Sequence, residues 1–136
     1  MPPPNRRGWP GWRSERGSAP AEFAMVAALL TVLTLSVIQL GLALHVRNTV
    51  LDAAAEGARY AALADTALGD GAARTRDLID TALGAGYAVD ISASEGRYLG
   101  HPAAIVTVRS PLPLIGLVGV DGALEVSGRA AIETLD

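Results

Sequence analysis

From Phe23 to Val46 the chain runs for 24 residues without a formal charge, taking His45 as neutral, and no other feature limits its fold so strongly. As an α-helix that run is roughly 36 Å long at about 1.5 Å per residue, against about 30 Å of bilayer hydrocarbon. It predicts one membrane-spanning helix. A chain of 136 residues that spends such a segment in lipid has room for one small domain besides. Cysteine is absent, which excludes a disulfide framework, a thiolate metal site and a thiol nucleophile. The eleven basic residues, all arginine, are outnumbered by fourteen acidic ones, and the net charge of −3 supplies no overall basic field for nucleic acid.

Ahead of the span, "MPPPNRRGWPGWRSERG" holds Arg6, Arg7, Arg13 and Arg16 against one Glu15, together with four prolines. Residues 1–17 therefore read as a basic, disordered leader. Arginines before the span and few close behind it favour a cytoplasmic N-terminus and an exported C-terminal domain. Two other export signals fit less well. "GLA", Gly41 to Ala43, offers the small residues of a signal-peptidase site, but the apolar run before it exceeds the usual h-region of about 7–15 residues. The Arg6-Arg7 pair lacks the apolar stretch that follows a twin-arginine motif.

With the transmembrane helix set at 18–46, the exported domain covers 47–136. It opens with a helical extension over 47–64, where Asp52, Glu56 and Arg59 fall within about 60° of one another at 3.6 residues per turn while Val50, Ala54, Gly57 and Ala61 line the opposite side. Small side chains there suit close packing on a sheet or another helix. The echo "DTALGDG" from Asp65 and "DTALGAG" from Asp80 is too short for a repeat architecture. Each Leu-Gly in it reads as a helix stop, at Gly69 and Gly84. Between them Leu78, Ile79, Ala82 and Leu83 form one stripe of a short helix over about 72–83. Period-two alternation marks strands at about 87–93 and 123–133, and the β-branched run closed by Pro111 and Pro113 marks a third at 103–109. "SEGRYLGHP" and "VGVDGA" are the turn signals between them. The fold class expected is α+β: a long N-terminal transmembrane helix continuing into a small domain with a second short helix and a three-stranded antiparallel sheet covered on one face. The apolar segment 112–120, without clear alternation, is left as a covered loop, a subunit contact or a segment resting on lipid.

Glu22, at the mouth of the span, has an ordinary explanation on charge and position alone. A carboxylate in the first turn complements the helix dipole by some tenths of a kcal/mol up to about 1, and Pro20 is tolerated there. The full arrangement is more specific. A basic leader ends in Gly17, Ser18 follows, Glu22 and Phe23 stand fifth and sixth counting from Ser18, and the apolar span begins at once. This resembles the processing signature of type IV pilin-like proteins, and "ERGSAPAEFAMV", "LDAAAEGARYAA" and the β-rich tail together resemble the TadE-like pseudopilins of tight-adherence (Flp) pilus systems.

The resemblance implies a minor pseudopilin in assembly of a Tad pilus, inserted in the cytoplasmic membrane and cut between Gly17 and Ser18 by a prepilin peptidase. Its implied partners are that peptidase, other pilin or pseudopilin subunits and the pilus assembly platform. Glu22 is the implied assembly residue, pairing with the new α-amine of Ser18, and Phe23 a lesser one. No cofactor, small-molecule substrate or nucleic acid is implied. The residues themselves point to no enzyme: His45 and His101 are unrelated in pattern, Asp65, Asp70 and Asp80 do not follow EF-hand spacing, and the glycine pairs 69/71 and 84/86 lack the third glycine of a phosphate loop. The alternative is a single-pass membrane anchor carrying an exported binding module, with no pilin processing.

Overall fold

A computed structural model describes residues 1, 2, 4, 17–63, 65–88, 90–113 and 124–133. The expected α+β architecture is present: α1 (Ser18–Ala62), α2 (Leu68–Leu83), β1 (Asp90–Tyr98), β2 (His101–Ser110) and β3 (Leu124–Ala131). The chain divides into two compact units, Met1–Val37 and Ile38–Asp136, with α1 running through the boundary.

In the first unit, α1 carries large apolar side chains that none of the described residues covers, among them Phe23, Met25, Leu29 and Leu33. Three of its hydroxyls are satisfied within the helix. Thr31, Thr34 and Ser36 each donate to the carbonyl four residues back, on Ala27, Leu30 and Val32, at 2.8 Å. Polar groups closed on their own helix are what a hydrocarbon environment requires. Among the described residues, α1 is the one helix long and apolar enough to cross a membrane.

In the second unit the buried positions of α1 are Val46, Val50, Ala53, Ala54, Gly57, Ala58, Ala61 and Ala62, a continuous stripe at helical spacing. The sheet is an antiparallel meander in the order β1-β2-β3. Its register aligns Ile91, Val108 and Val126 in one row and Ala93, Val106 and Gly128 in the next. These rows pack against α1 in a core that also takes in Ile79 of α2. Because side chains alternate, the opposite face carries Asp90, Arg109 and Glu125 in register, and then Ser92, Thr107 and Ser127. Arg109 donates to Glu125 at 2.9 Å and lies 3.9 Å from Asp90, while the Thr107 and Ser127 hydroxyls are 3.0 Å apart. The hydrogen bond and charge of Glu125, then the charge of Asp90, raise the Arg109 pKa above its ordinary value. An arginine is cationic throughout the usual pH range in any case, so the raised value leaves its charge unchanged.

Two glycine contacts set how closely the layers approach. A side chain on Gly128 would meet the backbone of Ala54 and Ala55, so β3 lies directly on the spine of α1. Gly57 of α1 and Gly71 of α2 likewise bring two helix backbones together, with the buried Thr75 hydroxyl between them, 2.9 Å from the Gly71 carbonyl and 3.3 Å from that of Ala53. At the far end of α1, the carbonyl of Ala62 accepts from the N–H of Glu133 at 3.1 Å, which ties the chain after β3 to the helix terminus.

Three local expectations are corrected. First, α2 begins at Leu68 rather than about 72, and Gly69 lies inside its first turn instead of stopping a helix. The two echo copies differ at one position, Asp70 against Ala85. The Asp70 carboxylate accepts the Ala67 N–H at 3.0 Å and starts the helix; alanine cannot, and the second copy ends one at Gly84, whose φ is +99°. Second, β1 extends to Tyr98, so most of "SEGRYLGHP" is strand. Those polar residues pair with β2, and Gly96 leaves room for the Ile105 side chain to lie across it. Third, His101 opens β2 opposite Tyr98 instead of standing in a loop. Pro102 has no N–H to return to Ile132, whose own N–H reaches the Pro102 carbonyl at 3.0 Å, and the ladder with β3 closes there. Of segment 112–120, Leu112 packs against the main core, and residues 114–120 lie outside the described residues.

The β1–β2 turn is the two residues Leu99 and Gly100, with φ of +50° and +85°. Both values are positive, as in the type I′ turn that favours Asn-Gly. Leucine pays a steric cost in this region that asparagine largely avoids. Leu99→Asn should therefore stabilise the domain by about 1 kcal/mol, read as a higher midpoint in thermal unfolding of the full chain in detergent.

Candidate processing and assembly site

Gly17 occupies a turn, and Ser18 is the first residue of α1. Nothing lies within 4 Å of a Cβ built on Gly17, and its φ is not in the left-handed region. The fold therefore makes no demand for glycine at position 17, in contrast to Gly57, Gly71 and Gly128, where a neighbouring backbone does.

Glu22 is the fifth residue of α1 and is exposed, as is Phe23 beside it. Its position weakens the dipole explanation, because no acidic residue falls in the first turn of the helix and the field of the helix end fades within that turn. Ser18 and Glu22 are separated by four residues, so they occupy one face of α1 about 6 Å apart along the axis. Helix geometry thus aligns the Ser18 backbone nitrogen and the Glu22 side chain, with uncovered apolar side chains following directly. Gly41 and Ala43, the small residues of the signal-peptidase reading, sit in mid-helix.

The class these features define is a single-pass membrane protein whose membrane helix continues as the spine of a small α+β domain. Residues 17–59 match the family model described as TadE-like protein, from the Gly17-Ser18 pair to Arg59 on the exposed face of α1. This is the family that the two N-terminal motifs resembled, and a TadE-like segment marks a component associated with a Tad pilus. No curated protein and no solved structure matches the chain.

The sequence analysis located Gly17, Ser18, Glu22 and Phe23 at one helix start, and they do lie together there. It did not identify the contact of Gly128 with Ala54, or that of Gly57 with Gly71. For the helix pair a signal exists: Gly57-x-x-x-Ala61 on α1 and Gly71-x-x-x-Thr75 on α2 are small residues at one-turn spacing.

Proposed function

We propose that the protein is a minor pseudopilin of a Tad (Flp) pilus, held in the cytoplasmic membrane with its N-terminus inside and its domain outside, and matured by a prepilin peptidase between Gly17 and Ser18. It acts as a structural, non-enzymatic part of the assembly. The observation that carries this reading is a glycine for which the fold has no use, placed at the start of an apolar helix that bears a carboxylate one turn on. Cutting there removes the basic leader and leaves the helix in the bilayer. It also frees an α-amine at Ser18. When helices leave lipid and bundle, that amine and Glu22, on the same or an adjacent copy, offset each other's cost of burial and fix the axial register.

Co-expression of the full chain with a prepilin peptidase, followed by N-terminal mass spectrometry, is expected to give a chain starting at Ser18. Gly17→Leu is expected to reduce that product at least about ten-fold, since a bulky residue opposes the fit that a positioned cut requires. A chain starting at Met1 or Leu44 would overturn the reading and leave a tethered binding module.

A further inference from the structure

Leu99 breaks two local rules at once. It is the one non-glycine residue with positive φ among the described residues, and it is 81% exposed. A leucine held in a strained turn and offered to solvent has no use within its own fold, and departures of this kind gather where a chain makes contacts. Its surroundings form a knob. Tyr98 beside it is also exposed, and Arg97 donates to the Gly100 carbonyl at 3.0 Å, which holds a cation next to the leucine.

The same domain carries a recess of matching character. Between α1 and α2 lies a groove of about 430 Å³ with Ala53, Leu78 and Ala82 among its lining and Asp52, Glu56 and Arg59 along its polar side. Arg59 is paired with Glu56 at 3.5 Å, whereas Asp52 makes no ion pair among the described residues, so the groove retains a net negative charge. An apolar knob with a cation meets an apolar recess with an anion.

One chain cannot join the two. Gly128 of β3 lies on Ala54, and Glu133, five residues on, reaches Ala62 at the end of α1, so β3 runs in the same direction as the helix. The β1–β2 turn lies beyond the Pro102–Ile132 contact at that same end. Leu99 is therefore separated from the middle of the groove by at least about 12 Å along α1, the rise of eight helical residues.

We infer that the β1–β2 turn of one copy docks its Leu99 into the α1–α2 groove of a second copy, with Arg97 of the first set against Asp52 of the second. The contact is heterologous, joining unlike patches, and so propagates from copy to copy instead of closing a dimer. It rests on the assembly role proposed above for one consequence: copies anchored level in a bilayer cannot make it, and copies staggered along the axis can.

The absence of native cysteine makes the test direct. Full-length chains carrying Leu99→Cys with one tag and Ala82→Cys with another are mixed in detergent and oxidised. Mixed-tag dimers are expected, and the double variant is expected to give a ladder of higher species. Leu99→Asn, introduced into chains that pair through Tyr98→Cys with Ala82→Cys, should weaken the cross-link about ten-fold or more, the effect of withdrawing a buried leucine, even though it stabilises the domain. Asp52→Arg should weaken pairing and Arg97→Glu on the other chain restore it. Cross-linking no better than that of a cysteine at exposed Ala73, or only between like positions, would overturn the inference, and so would capture of the turn by lipid or detergent alone. N-termini are read in the same samples. Chains cut to Ser18 that fail to cross-link sink the docking and leave the pseudopilin reading standing; uncut chains that cross-link do the reverse.

Discussion

Gly128→Val is expected to detach the sheet from α1 and to destabilise the domain by more than about 4 kcal/mol, outside the range of ordinary single substitutions. The Cβ would fall on the backbone of Ala54 and Ala55, and backbone in a helix that is itself packed has no rotamer to escape into. Relief requires β3 to move away from the helix. That movement uncovers Val106, Val108 and Val126, each worth about 1.5–3 kcal/mol when buried. Gly128→Ala meets the same atoms and should cost about 3 kcal/mol. Gly69→Ala supplies the contrast: with open space around it in a helix, it should be neutral or stabilising by up to about 1 kcal/mol. Denaturant unfolding of the full chain in detergent, with protease resistance of the domain as a second measure, checks the series. A Gly128→Val chain that unfolds cooperatively within 1 kcal/mol of the parent would show that the close approach is not needed.

Glu22→Ala is expected to leave membrane insertion intact and to lower incorporation into sheared pili at least about ten-fold, the effect of losing a buried charge pair worth a few kcal/mol. An unpaired carboxylate in hydrocarbon costs about 2.5 kcal/mol or more, so its removal favours insertion if anything. On the proposed reading, what is lost is the partner of the Ser18 amine once helices pack together. Glu22→Gln keeps the shape and a hydrogen-bonding group while removing the charge, and should behave like alanine if charge pairing sets the register. The membrane and pilus fractions are compared by immunoblot in cells that make the rest of the machinery. Normal incorporation of Glu22→Ala would discard the role assigned to Glu22 while leaving the Gly17 cut untouched.

Much of the architecture was legible because it is set by short-range pattern. The uncharged run, the wet stripe of Asp52, Glu56 and Arg59, and the alternation in "ALEVSGRAAIE" each follow from neighbours within a turn or two of the chain. The candidate site belongs to the same category. Gly17, Ser18, Glu22 and Phe23 form a local motif whose spacing alone defines their geometry on a helix, so the structure only had to show that the helix begins at Ser18. Where local signals compete, sequence reasoning erred. "SEGRY" has the composition of a turn, yet becomes strand because β2 supplies an aligned partner. The two Leu-Gly copies look alike, and a single carboxylate at Asp70 sends the first into a helix.

The sequence by itself determined which segment is long and apolar enough to cross a membrane, which elements form and how the candidate processing motif is spaced, since charge, hydrophobic period and helical rise act along the chain. Only the tertiary structure decided which glycines are indispensable. Gly17, Gly57, Gly69 and Gly128 are indistinguishable as letters, and they differ because a backbone far away in sequence lies against Gly57 and Gly128 and nothing lies against Gly17 or Gly69. Steric exclusion depends on what the rest of the fold brings near, which the letters of the sequence do not carry.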